Sequence, residues 1–141
     1  MKIFHSKYKV VTPWWRWISK EFQLTEENRY LTPIRGFRYD DEKVRLNTNG
    51  IIVVKKGFVW GASSLTVDTE SSREGSCIHD AFYYLATLGV FDGPRNKSIK
   101  SLVDCLLHTM CVKNGMWKRR ADAWFQAVNL GGGNAWKTKE I

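Results

Sequence analysis

The chain has 141 residues, 43% of them hydrophobic, and a formal net charge of +8. That length suits one domain with a buried core, and the apolar content excludes a disordered chain. The charge favours negative partners: nucleic acid, anionic lipid or an acidic protein. The 13% aromatic content, with seven Trp, points to a thick aromatic core or a contact surface.

Residues 1–12 alternate weakly and read as a strand or an arm. Met1-Lys2-Ile3-Phe4-His5 runs directly into charged sequence without a leader pattern. With an odd number of cysteines (Cys77, Cys105 and Cys111), this predicts reduced thiols and synthesis in a cytoplasm. No stretch approaches the roughly 18 apolar residues of a membrane span. Pro13 should begin an element. In Trp14-Trp15-Arg16-Trp17 the indoles either anchor an interface, where Trp and Arg are enriched, or pack on the core.

Asn28 to Tyr39 and Lys43 to Thr48 read as two strands around the acidic turn Asp40-Asp41-Glu42. Asn49-Gly50 is a hairpin signal, and the β-branched run Ile51-Ile52-Val53-Val54 is the most strand-like in the chain. The second half is helical. One helix runs from a cap at Ser71 or Ser72 to about Leu88, with Ile78, Ala81, Phe82 and Leu85 facing inward. A second runs from Ser98 to about Val112 on a stripe of Leu102, Val103, Leu106, Leu107 and Met110. A third spans Met116 to Leu130, with Trp117, Ala121, Trp124, Phe125 and Val128 on one face. Strands followed by helices predict an α+β domain over residues 1–141: first strands or an arm at 1–24, a small antiparallel sheet at 25–60, and about three helices at 71–130 packed on it.

The predicted candidate site lies on the first helix. His79 and Tyr83 are four residues apart and share a face, with Asp80 about 100° round. A histidine at the border of the core can take a proton from water, and a carboxylate beside it can orient it or bind a cation. On the structural reading, both side chains instead satisfy backbone groups of the small turn Gly61-Ala62-Ser63. Ser63 is not in a Gly-x-Ser-x-Gly elbow, so it is not a nucleophile of that kind. Asp104, His108 and Cys111 have helical spacing compatible with a metal, but no second ligand pair accompanies them, so no metal or cofactor is assigned. Seven Lys or Arg between Pro94 and Arg120 (Arg95, Lys97, Lys100, Lys113, Lys118, Arg119 and Arg120) against one acid, Asp104, form either a phosphate-meeting surface or the solvated side of two helices.

Gly57-Phe58-Val59, Gly61-Ala62-Ser63 and His79-Asp80-x-x-Tyr83 together resemble a group of small phage and prophage proteins, domain of unknown function 1353. Its C-terminal features correspond here to Asp104, Ala127-Val128 and Gly131-Gly132, closing on Trp136, so the resemblance covers roughly residues 25–136. Where that group has an acid before the Gly-Ala-Ser turn, this chain has Trp60, with Asp68 and Glu70 the acids in the connector that follows. The resemblance implies a phage context and no established activity; together with the Trp14–Trp17 run and the basic helices it predicts a non-enzymatic virion, tail or assembly component located in the virion or host cytoplasm. It would bind other phage proteins or itself through Trp14, Trp15, Arg16, Trp17, Lys118, Arg119 and Arg120. The His-Asp-x-x-Tyr string is also similar to that of secreted phospholipases, where the histidine activates water and the aspartate binds calcium; those enzymes are disulfide-rich. This gives the alternative of a small hydrolase using His79, Asp80 and Tyr83. A second alternative is an early phage protein binding a host factor or nucleic acid through residues 95–120.

Overall fold

Two short antiparallel sheets come from the N-terminal strands and three helices from the C-terminal half, an α+β arrangement as the order of elements predicts. The computed structural model describes residues 8–12, 21–61, 70–131 and 136; the side chains of residues 70–72, 124, 128, 130 and 131 are not part of that description. The Trp14–Trp17 run, Ala62, Ser63, Gly132 and the capping side chains of Ser71 and Ser72 therefore lie outside the described residues.

The first sheet has the order β1 (Tyr8–Val10), β2 (Glu21–Leu24), β7 (Val59–Gly61), with Phe22 opposite Trp60. The second has the order β3 (Asn28–Leu31), β6 (Ile51–Val54), β5 (Val44–Leu46), β4 (Tyr39–Asp40). The single sheet expected from the sequence is thus two. Lys55-Lys56-Gly57 turns the chain away after β6, with Gly57 at φ +94° and its amide donating to Leu24 O (2.9 Å), so β7 pairs with β2. The span 28–39 is likewise not one strand. Pro33 removes a ladder donor and Gly36 sits at φ +88°, separating β3 from β4.

The two predicted turns form for local reasons. In the acidic turn, Asp41 Oδ1 accepts from the amides of Lys43 (2.7 Å) and Val44 (2.8 Å), closing the β4–β5 hairpin. Its other oxygen accepts from the phenols of Tyr39 and Tyr84, which ties the hairpin to the first helix. Burial opposes the charge on Asp41, but Tyr84 and the two amides outweigh it and hold the carboxyl at about 2. In the second turn, Gly50 adopts φ +92° and its carbonyl accepts from both the amide (3.0 Å) and the hydroxyl (2.7 Å) of Thr32.

Helix α1 (Glu70–Thr87) is followed by α2 (Asn96–Lys113) and α3 (Lys118–Gly131). The amide of Val90 bonds to Leu85 O (3.2 Å) around Gly89, ending α1 at the predicted glycine. Phe22, Leu46, Ile52, Phe82, Phe91 and Ile99 are fully buried in a core that joins both sheets to α1 and α2. Gly75 lets the two helices close up, because a Cβ there would stand 2.9 Å from Leu107 Cδ1. Two helical faces differ from the periodicity. On α2, Asp104 turns inward because a polar cluster on α1 faces it; Cys111 also turns inward, into an apolar cluster, and Leu102 outward. Trp117 precedes α3 and is 82% exposed.

Gly50→Ala places its Cβ 2.2 Å from Thr32 O in a left-handed conformation. It is expected to destabilise the chain by at least about 2 kcal/mol in urea unfolding. A loss below about 0.5 kcal/mol would show that the turn relaxes freely.

Candidate functional site

The candidate site is built where α1 crosses α2. His79 and Tyr83, one turn apart on α1, stack with ring centroids 4.2 Å apart. Both reach the same atom of α2: Asp104 Oδ1 lies 2.8 Å from His79 Nε2 and accepts from the Tyr83 hydroxyl at 2.9 Å. Lys100, one turn earlier on α2, donates to Asp104 Oδ2 at 2.8 Å. Asp104 is completely buried, so it takes three donors in place of water.

The electrostatics follow from this packing. Burial works against the Asp104 charge, but the bonds from His79 and Lys100 outweigh it and hold the carboxyl below its ordinary value. An ionised carboxylate only accepts, so His79 Nε2 carries a proton. Burial also works against a charged His79; hydrogen bonding to Asp104 and the nearby negative charge of Asp80 outweigh it, and the imidazole pKa is raised. Tyr83 is pushed upward first by burial and then by the Asp104 charge, so it stays a neutral donor.

The other histidine nitrogen, Nδ1, lies 3.9 Å from Asp80 Oδ1, too long for a direct hydrogen bond. The Asp80 carboxylate is 41% exposed. It lines a cleft of about 520 Å³ with Lys43, Phe58, Val59, Tyr83 and Tyr84, between the β6–β7 turn and α1.

These contacts revise the predicted partners. His79 bonds across to Asp104 on α2; Gly61 lies in β7, and Ala62 and Ser63 are outside the described residues. Trp60 does not replace the acid of the resembling group. Its indole is buried against Tyr8 and Phe22 and donates to Ser76 Oγ at 3.2 Å. Asp68 and the Glu70 side chain are outside the described residues. Asp104, His108 and Cys111 do not converge: Asp104 meets α1, His108 meets Asp122, and Cys111 is buried in an apolar cluster. Among the described residues, no group of three His, Cys, Asp or Glu side chains is placed to hold a metal.

The basic residues also separate. Lys100 turns inward, Arg95 lies over the Phe37 ring at 5.0 Å, and Lys118 pairs with Asp122, while Arg119 is exposed and Arg120 half-buried. Sequence reasoning missed Lys100 and Asn96 as structural partners. Asn96 accepts from Trp136 Nε1 (3.1 Å), and Trp136 packs edge-on to Tyr83 at 4.9 Å. The Lys100–Asp104 spacing of four residues is the signal that could have paired them.

Among the described residues, no helix is long and apolar enough to cross a membrane. No protein-family model, curated protein or solved structure matches the chain.

Asp104→Ala leaves the Lys100 ammonium without its buried partner and is expected to cost about 3–5 kcal/mol in urea unfolding. The pH dependence has two limbs. The raised His79 pKa gives stability present below the ordinary 6.5 and lost as pH rises through the higher folded value. The lowered Asp104 pKa gives stability present above 3.8 and lost as pH falls through the lower folded value. The melting temperature should therefore decline above the histidine range in the native chain, and this decline should be absent from His79→Gln. An identical alkaline decline in both would remove His79 as its source.

Proposed function

We propose that the cleft is a small hydrolytic site in which His79 acts as general base on water. The observation that carries this reading is the division of the imidazole. Nε2 is fixed by the buried Asp104, while Nδ1 lies 3.9 Å from the exposed Asp80; Asp80 and Tyr83 line the cleft, and His79, 9% exposed, lies behind them. In a neutral imidazole whose Nε2 is protonated, Nδ1 holds the lone pair. It removes a proton from water as the oxygen attacks an ester carbonyl, and the imidazolium returns that proton to the leaving alkoxide.

The two acids then have different work. Lys100 already balances the Asp104 charge, so Asp104 mainly fixes the ring. The exposed Asp80 carboxylate supplies the negative charge that favours the imidazolium. Tyr83 holds Asp104 and stacks on the ring, which limits its rotation. A calcium ion of the phospholipase kind finds one carboxylate here, Asp80, and no ligand set among the described residues, so no step is routed through a metal.

The test is turnover of a chromogenic carboxylic ester by the full chain. His79→Gln is expected to lower kcat by about 10²-fold or more. Asp80→Asn should lower it by about tenfold while leaving the melting temperature unchanged at a pH above the histidine range, where His79 is neutral. Activity should rise with pH through a value above the ordinary histidine range, because the base is the neutral imidazole. Turnover no greater than that of His79→Gln would overturn the reading.

A second reading, a binding component of a phage particle, rests on the resemblance and on one observation. Trp117 is 82% exposed and Arg119, two residues on, is exposed as well; Trp and Arg are the residue types that anchor interfaces. A mass-spectrometric inventory of purified particles tests it. Presence at fixed stoichiometry supports the virion role, and absence removes it.

A further inference from the structure

A second histidine–carboxylate pair lies away from the cleft, between α2 and α3. His108 Nε2 is 2.6 Å from Asp122 Oδ1, and Lys118 donates to Asp122 Oδ2 at 3.1 Å. The hydrogen bonds from these two donors hold the Asp122 carboxyl below its ordinary value, that of His108 contributing most. The carboxylate accepts, so Nε2 carries the proton; among the described residues Nδ1 has no hydrogen-bond partner. Cys105 stands three residues before His108 on the same helix and shares its cavity, although no hydrogen bond joins the two side chains in this structure. Cys105, His108, Asp122 and Phe125 line one surface cavity of about 420 Å³. Phe125 meets the imidazole edge-on at 6.1 Å, giving the ring an apolar wall.

The three cysteines are sharply different. Cys77 and Cys111 are buried and Cys105 is exposed. Burial pushes the Cys77 thiol well up and the Cys111 thiol up to about 12. We propose that Cys105, with His108 and Asp122, is a nucleophilic thiol site that exchanges with small disulfides. His108 Nδ1 takes the thiol proton and the Cys105 thiolate attacks one sulfur of the disulfide. The Cys105–S–S–R bond forms as the old S–S bond breaks, and the departing thiolate takes the proton from the imidazolium. The added disulfide is the oxidant, and it is released as one equivalent of thiol.

Position within the fold separates this chemistry from acyl transfer. Cys105 lies in the interior of an 18-residue helix, where backbone amides are committed to the helix and cannot form an oxyanion hole. Sulfur–sulfur exchange develops no oxyanion and needs no such donors.

The test uses glutathione disulfide and the full native chain, with peptide mapping of the adduct and measurement of its rate of formation at pH 7. One adduct on Cys105 is expected, forming roughly tenfold faster than on the same cysteine in the urea-unfolded chain. Asp122→Asn and His108→Gln are each expected to bring the rate down to the unfolded value, with circular dichroism showing that both remain folded. If one variant unfolds, the other decides the matter. Should both unfold, the native rate measured against the unfolded rate decides. Modification of Cys77 or Cys111 in preference to Cys105, a native rate no faster than the unfolded one, or rates untouched in folded variants would overturn the proposal.

Discussion

The structure depends on one buried charge. The Asp104 carboxylate has lost all its water, which costs several kcal/mol unless other dipoles and charges replace it. Lys100 supplies the opposite charge from the same helix, while His79 and Tyr83 supply two N–H or O–H groups from α1. Those bonds also set the register of α1 against α2. A slide of one turn would remove both α1 donors together and leave the carboxylate under-satisfied. The close approach at Gly75 brings the helices near enough for short side-chain bonds to span the gap.

Much of the fold is legible because its signals are local. The β-branched run at 51–54, Asn49-Gly50, the acidic turn at Asp41 and the stop at Gly89 each act within a few residues, and each forms near its expected place. The division into two sheets was not legible. It depends on which partner β7 meets after Gly57, a choice made by pairing with β2, Phe22 opposite Trp60, 38 residues away. The inward face of α2 was misread for a related reason. Hydrophobic periodicity places Asp104 outside, but His79 and Tyr83 make the interior at that point polar. The His79-Asp80-x-x-Tyr83 spacing puts His79 and Tyr83 on one helix face, yet no local rule could name their shared partner, 25 residues from His79.

Helix α2 carries two histidine–carboxylate arrangements of opposite character. Asp104, on the face towards α1, is a buried acceptor for someone else's imidazole. His108, one turn on, gives its own imidazole to an acid of α3 that remains half in water. The spacing of Asp104, His108 and Cys111 suggested one constellation, but neighbouring helices on different sides divide it. Burial makes the first arrangement rigid, whereas exposure leaves the second open to small molecules.

The shared acceptor also constrains how this sequence can drift. An apolar residue at position 104 takes the opposite charge from the Lys100 ammonium, and an apolar residue at 100 leaves Asp104 without its counter-charge. Neither first step is easily tolerated, although both changes together can produce a well-packed apolar contact. Positions 79, 83, 100 and 104 should therefore vary in concert among descendants of this chain, while their immediate neighbours change one at a time. The quartet acts as a single inherited character spread over two helices.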